Sequence, residues 1–164
     1  MEEYRDILIG TIFFILLILS IIDFKIKAVP DYLLLILLVL DIIFLFQYNP
    51  TNFIYMLSFT GGIVLLNFFI TFYIQNIKSK IYKDKTLKNQ TALGEGDIPV
   101  IATIGTLLEP NLAFVAVFLS AVFAIIPSIF YIIVKKENQL PFIPFLSLGL
   151  FVVYILGNRV YEII

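Results

Sequence analysis

Ala92-Leu93-Gly94-Glu95-Gly96-Asp97-Ile98-Pro99 opens the stretch that decides the fold, which then runs on as an apolar segment to Leu108. It sets an ionisable carboxylate between glycines and the start of a membrane-like run, where a charge is costly and needs a reason. Ile98 to Leu108 is eleven residues, about 16 Å of helix, or roughly half of a hydrocarbon core of about 30 Å. If Glu109-Pro110-Asn111 marks the far interface, Asp97 is recessed about 14 Å inside the near one. Such a place is tolerable only where irregular backbone is covered by protein or lines a wet cavity. Gly94 and Gly96 suit it, because glycine allows unusual backbone angles and close approach of another chain.

The rest of the chain supplies the surroundings. Over 164 residues, 61% are hydrophobic, 16% aromatic and only 14% charged, with a mean hydropathy of +1.04, beyond what a soluble domain carries. Six apolar segments are expected as membrane helices: Ile7 to Ile22, Tyr32 to Phe46, Phe53 to Ile74, Ile98 to Leu108, Leu112 to Val134, and Leu140 to about Tyr161. The fold class is therefore an all-α integral membrane protein, a bundle of six transmembrane helices forming a single membrane-embedded domain over residues 1–164. No basic n-region or cleavage site marks the first segment as a removable signal. Tyr4, Tyr48, Tyr73, Tyr131 and Tyr161 fall near segment ends, as an aromatic belt requires.

Basic residues mark the cytoplasmic side of short loops. Lys25 and Lys27 follow the first segment, Lys78, Lys80, Lys83, Lys85 and Lys88 the third, and Lys135 and Lys136 the fifth, nine of the eleven basic residues. The opposite face receives Arg5, Arg159, Glu2, Glu3, Asp6, Glu109 and Glu162. Both termini are predicted outside the cytoplasm, in a multi-pass plasma-membrane protein, with Asp23 and Asp97 on the cytoplasmic side.

The chain has no Cys and no His, so it lacks the usual zinc ligands, thiol chemistry and an imidazole base. Proton transfer falls to carboxylates and lysines. For Asp97 a structural reading stands beside a catalytic one: aspartate is a favoured N-cap, and Pro99 fits a first helical turn. Asp23 ends a helix, where the macrodipole disfavours negative charge. Two carboxylates in one partly desolvated site are the parts of an aspartyl hydrolase, because like charges at close range keep one protonated. One takes a proton from water as it attacks a peptide carbonyl, and the other stabilises the oxyanion and protonates the leaving amine.

The residues also resemble a known family. Asp23-Phe24-Lys25-Ile26-Lys27-Ala28-Val29-Pro30-Asp31 is similar to the first aspartate motif of the type IV prepilin peptidases. Gly94-Glu95-Gly96-Asp97 resembles their GxGD motif, and Ala102-Thr103-Ile104-Gly105 the Ala-x-x-Gly that follows it. Leu140-Pro141-Phe142-Ile143-Pro144-Phe145-Leu146-Ser147-Leu148-Gly149 resembles the Pro-Phe-Gly-Pro-Phe-Leu-Ala-Leu-Gly start of their last helix. The resemblance implies a GxGD-type aspartyl protease fold and a membrane endopeptidase that removes the basic leader of type IV prepilin, pseudopilin or archaeal preflagellin-like precursors at the cytoplasmic face. Asp23 and Asp97 carry over as the catalytic pair. Gly94, Glu95, Gly96, Lys25, Lys27 and Pro30 are expected to bind substrate or shape the site. No metal, cofactor or nucleic acid is expected, and the absence of Cys fits a short, peptidase-only form.

Three positions depart from the family pattern: Asp31 stands for Asn, Pro99 removes a lysine two residues after GxGD, and Ile143 replaces a Gly between the prolines. Glu95 could attract a basic leader or be a solvated loop charge. Asp41, in the middle of the second segment, should face the bundle interior, as a hydrogen-bonded strut or an ion site. Gly61 and Gly62 read as close helix contacts, and Lys78 to Lys88 as a lipid-facing topology signal. Two rivals remain. A presenilin-like protease would pair GxGD with Tyr-Asp and Pro-Ala-Leu, both missing here. A small transporter or scaffold would use Asp23, Asp41 and Asp97 without needing the Asp23-to-Pro30 spacing.

Overall fold

The computed structural model describes residues 2–82, 91, 93–130 and 140–163. Among them there is no strand, and the chain is all-α. Helix α1 spans Glu2–Ile26, α2 Asp31–Tyr48 and α3 Asn52–Phe72; α3 continues through a π-helical turn, Tyr73–Lys78, into the short α4, Ser79–Tyr82. Then follow α5 (Asp97–Leu107), α6 (Pro110–Phe130) and α7 (Ile143–Ile163). Each expected segment falls on a helix. The last starts three residues later than Leu140, because the carbonyl of Phe142 accepts the first helical bonds, from the amides of Phe145 and Leu146, both at 3.1 Å. The expected end of the fifth segment at Val134 lies outside the described residues, as do Lys83, Lys85, Lys88, Tyr131, Lys135 and Lys136. The side chains of Arg159, Tyr161 and Glu162 are likewise not described.

Helix α5 stands apart by its length of eleven residues. Among the described residues four stretches are long and apolar enough to cross a bilayer: Glu3–Ile26, Asp31–Tyr48, Asn52–Ile81 and Pro110–Ile129. Asp97–Leu107 is a shorter apolar helix, whereas α7 is 21 residues long. The short α5 does not face lipid. Eight of its eleven residues are buried, and it packs against α2, α3, α6 and α7. The long helices surround it and turn side chains such as Phe14, Phe46, Phe68, Phe69 and Phe118 outward, as a lipid-facing shell must.

Pro110 does not kink a continuing helix. Leu108 breaks α5 with an extended backbone (φ −117°, ψ 150°), and Pro110 occupies the first position of α6, where its missing N–H costs nothing. The amide of Ala113 then bonds the carbonyl of Glu109 at 2.8 Å.

Close packing falls on glycines other than those expected. A Cβ at Gly61 or Gly62 would meet nothing within 4 Å, because both lie on an exposed face of α3. At Gly105 it would come within 3.1 Å of the Met56 backbone, which brings α3 against α5, and at Gly149 it would collide with Ala116 and Ser120 of α6. The helices run up and down, so that the end of α1 and the starts of α2, α5 and α7 gather around one cavity. The end of α2 and the starts of α3 and α6 gather at the other pole, around Asn49, Asn52 and Glu109.

Candidate active site

Asp23 lies in the last turn of α1, 7% exposed, at the helix end whose dipole repels a negative charge. The repulsion is offset by another helix. The Ile143 amide, at the first position of α7, donates to Asp23 Oδ2 at 3.1 Å. Amides at a helix start have no partner within their own helix, and they carry its positive dipole end. This gives a role to the position where the family pattern has Gly: the backbone of Ile143 holds the carboxylate, and its side chain is buried in the core. The carbonyl of Asp23 accepts from the Lys27 amide at 2.9 Å. Lys27 closes α1 in the left-handed region, with φ 55°, where glycine is the usual residue and a side chain costs about 1–2 kcal/mol.

Asp97 is the first residue of α5 and is 8% exposed. It does not cap its own helix. Gly96 occupies the cap position without a side-chain bond, and the Asp97 side chain turns back, its Oδ2 accepting from the Gly94 amide at 3.1 Å. The Asp97 amide in turn donates to the Gly94 carbonyl at 3.2 Å, so the motif closes on itself. Pro99 sits in the first turn of α5, where no helical partner is owed to its nitrogen.

The two glycines differ. A Cβ at Gly94 would lie 3.1 Å from Asp97 Oδ2, so a side chain at position 94 would require the carboxylate to shift by a few tenths of an ångström. Gly96 has an ordinary helical backbone (φ −68°, ψ −19°), and a Cβ there would make ordinary contacts with Leu34 and Val29 at 3.7 to 3.8 Å. Neither needs a positive φ, so unusual backbone angles are not what the glycines provide.

Both carboxylates line one cavity of about 420 Å³, near enough to interact electrostatically. Its walls include Gly94, Glu95, Gly96, Lys27 and Asp31, and Phe142 and Ile143 of the third motif. Two of the expected site-shaping residues stand apart. Lys25 borders an apolar recess with Leu17, Ile21 and Phe24 on the outer side of α1. Pro30 is the cap of α2 (φ −68°, ψ 127°); its carbonyl accepts from Leu33 and Leu34, and its neighbours Val29 and Asp31 reach the cavity instead. Among the described residues no three acidic side chains are grouped closely enough to hold a metal ion.

A model of the type IV leader peptidase family matches residues 10–129. The chain belongs to that family. As a member of the type IV leader peptidases it is a peptidase of the membrane, from a family whose substrates are prepilin-type proteins. The match includes both Asp23 and Asp97 and stops before the Pro141-to-Pro144 stretch. No curated protein and no solved structure matches the chain.

Two parts of the site escaped the sequence reading. The Ile143 amide is a backbone group that no residue type announces. Asn67 of α3, whose Oδ1 accepts from the Leu93 amide at 2.9 Å, did carry a signal: it is an amide set between Leu66 and Phe68 in an apolar run.

Proposed function

We propose that this leader peptidase is an aspartic endopeptidase, that Asp23 and Asp97 are its catalytic pair, and that it removes the basic leader of a prepilin-like precursor at the cytoplasmic face. The observation that carries the reading is the meeting of the two aspartates, 74 positions apart in the sequence, on the wall of one cavity. Each is held by a backbone amide through Oδ2, from Ile143 and from Gly94.

The reaction follows from that arrangement. A water between the carboxyl groups gives a proton to the ionised one as its oxygen bonds to the peptide carbonyl carbon. The protonated partner donates to the developing oxyanion. The tetrahedral intermediate then collapses: one of its hydroxyls returns a proton to the ionised carboxylate, the C–N bond breaks, and the amine leaves with the proton held by the other carboxyl group. Because the two exchange protons from step to step, neither has a fixed role. Glu95 and Asp31 on the same wall favour a cationic peptide over an anionic one. The alternation of basic loops argues that this end of the bundle faces the cytoplasm, with both termini on the other side and the whole of residues 1–164 acting as one membrane-embedded peptidase domain.

The test is co-expression with candidate precursors in membranes, with leader removal followed by electrophoretic mobility. Asp23→Asn and Asp97→Asn should each insert normally and leave the precursor uncut. Cleavage by either variant at a rate near that of the wild type overturns the mechanism.

A further inference from the structure

We propose that Asn67 of α3 is a positioning residue for the reaction, acting on Asp97 through the two consecutive amides of Leu93 and Gly94. The inference rests on Asp97 being catalytic. An amide in an apolar helix is costly unless it is hydrogen-bonded. The residues flanking Asn67, namely Leu65, Leu66, Phe68 and Phe69, are all exposed on the outside of the bundle. Asn67 itself is half-buried and points to the loop before α5. Its Oδ1 accepts from the Leu93 amide at 2.9 Å and from the Thr71 hydroxyl, one turn on, at 3.3 Å.

The next amide along the chain, that of Gly94, donates to Asp97 Oδ2. One peptide is thus tied to α3 and the following one to the carboxylate. This tie supplements the packing of α3 on α5, which lies further along at Met56 and Phe59 against Gly105. That packing fixes the helix; the Asn67 bond fixes the loop that aims the side chain. Asn67 does not line the cavity, so its removal should leave substrate binding intact and disturb the placement of Asp97. Misplacement of a reacting group by a fraction of an ångström to one ångström lowers turnover by about ten- to a hundredfold.

The experiment uses the full chain in membranes or nanodiscs, a precursor peptide and separate determination of kcat and KM. Asn67→Leu should lower kcat about tenfold or more at unchanged KM and unchanged thermal stability. Asn67→Asp, which keeps an acceptor at the same place, should restore kcat towards wild type. Where Asn67→Leu does not accumulate, Asn67→Ser, too short to reach the Leu93 amide, should show the same loss. Wild-type kcat in the Leu or Ser variant, or equal impairment of the Leu and Asp variants, overturns the inference. Asp97→Asn in the same preparation separates the two readings. If it cleaves at near the wild-type rate, the catalytic assignment fails; if it is strongly impaired while Asn67→Leu is fully active, only the role of Asn67 fails.

Discussion

Asp97 and Asp41 are both withdrawn from solvent, at 8% and 1% exposure, and helix α5 takes part in holding both, yet they stand in different kinds of place. Asp97 and its partner Asp23 are bonded by backbone amides at helix and loop ends, and both border a cavity of about 420 Å³. Asp41 is sealed between α2 and α5, where its Oδ2 is bonded by the Thr103 hydroxyl at 2.7 Å and its Oδ1 has no partner. Burial alone therefore does not separate a carboxyl that lines a cavity from one sealed in the core. What separates them is access: Asp23 and Asp97 border an open cavity, and Asp41 is enclosed by packed side chains. An incompletely bonded carboxyl in a packed core is expensive, and holding α2 to α5 is the use that fits its contacts.

The sharpest way to break this comparison is to replace each of the three aspartates by asparagine. Asp23→Asn and Asp97→Asn remove a general acid–base group and should lower cleavage by about 10²–10⁴-fold. Asp41→Asn keeps the shape and can still bond Thr103, so leader removal should continue. An inactive, well-inserted Asp41→Asn enzyme would place Asp41 in the chemistry and abolish the distinction.

The next largest effect is expected at Gly94. In Gly94→Ala the new Cβ meets Asp97 Oδ2 at 3.1 Å, so the carboxylate must shift; kcat should fall about tenfold, measured on precursor peptide at saturating concentration. At Thr103 the loss should appear in stability. Thr103→Val removes the donor to Asp41, which should cost about 1–3 kcal/mol, read as a lowered Tm in detergent, while turnover per folded molecule stays unchanged. Gly96→Ala should be the mildest, with a smaller loss than Gly94→Ala, because its Cβ makes only ordinary contacts with Leu34 and Val29. If Gly96→Ala proves the more damaging of the two, the cavity uses Gly96 to admit substrate backbone.

Several features were legible in the chain itself because they depend on local composition and period. Apolar runs long enough for a bilayer, separated by polar and basic junctions, give the helices and their order. The shortness of the segment after Asp97 is a count of residues, and the two aspartate motifs are local strings. An aspartate among Leu40 and Ile42 must face inward for reasons of solvation alone, and Asp41 does.

Other features depended on what meets what, and local sequence cannot fix that. The start of α7 is more than a hundred residues from Asp23, and its contribution is a main-chain amide that any non-proline residue could supply. Asp97 read equally well as a cap from its position before an apolar run; only the fold showed its side chain turned back to Gly94. Gly61 and Gly62 read as close helix contacts in the sequence, but the bundle presents them outward and takes its close contacts at Gly105 and Gly149. By itself, then, the sequence determined the helices, their order and the carboxylates available for chemistry, since hydrophobic length and solvation act on each segment separately. Which carboxylates share a cavity, which amides hold them and which glycines are crowded was decided by tertiary packing, because those contacts join segments that are distant in the chain.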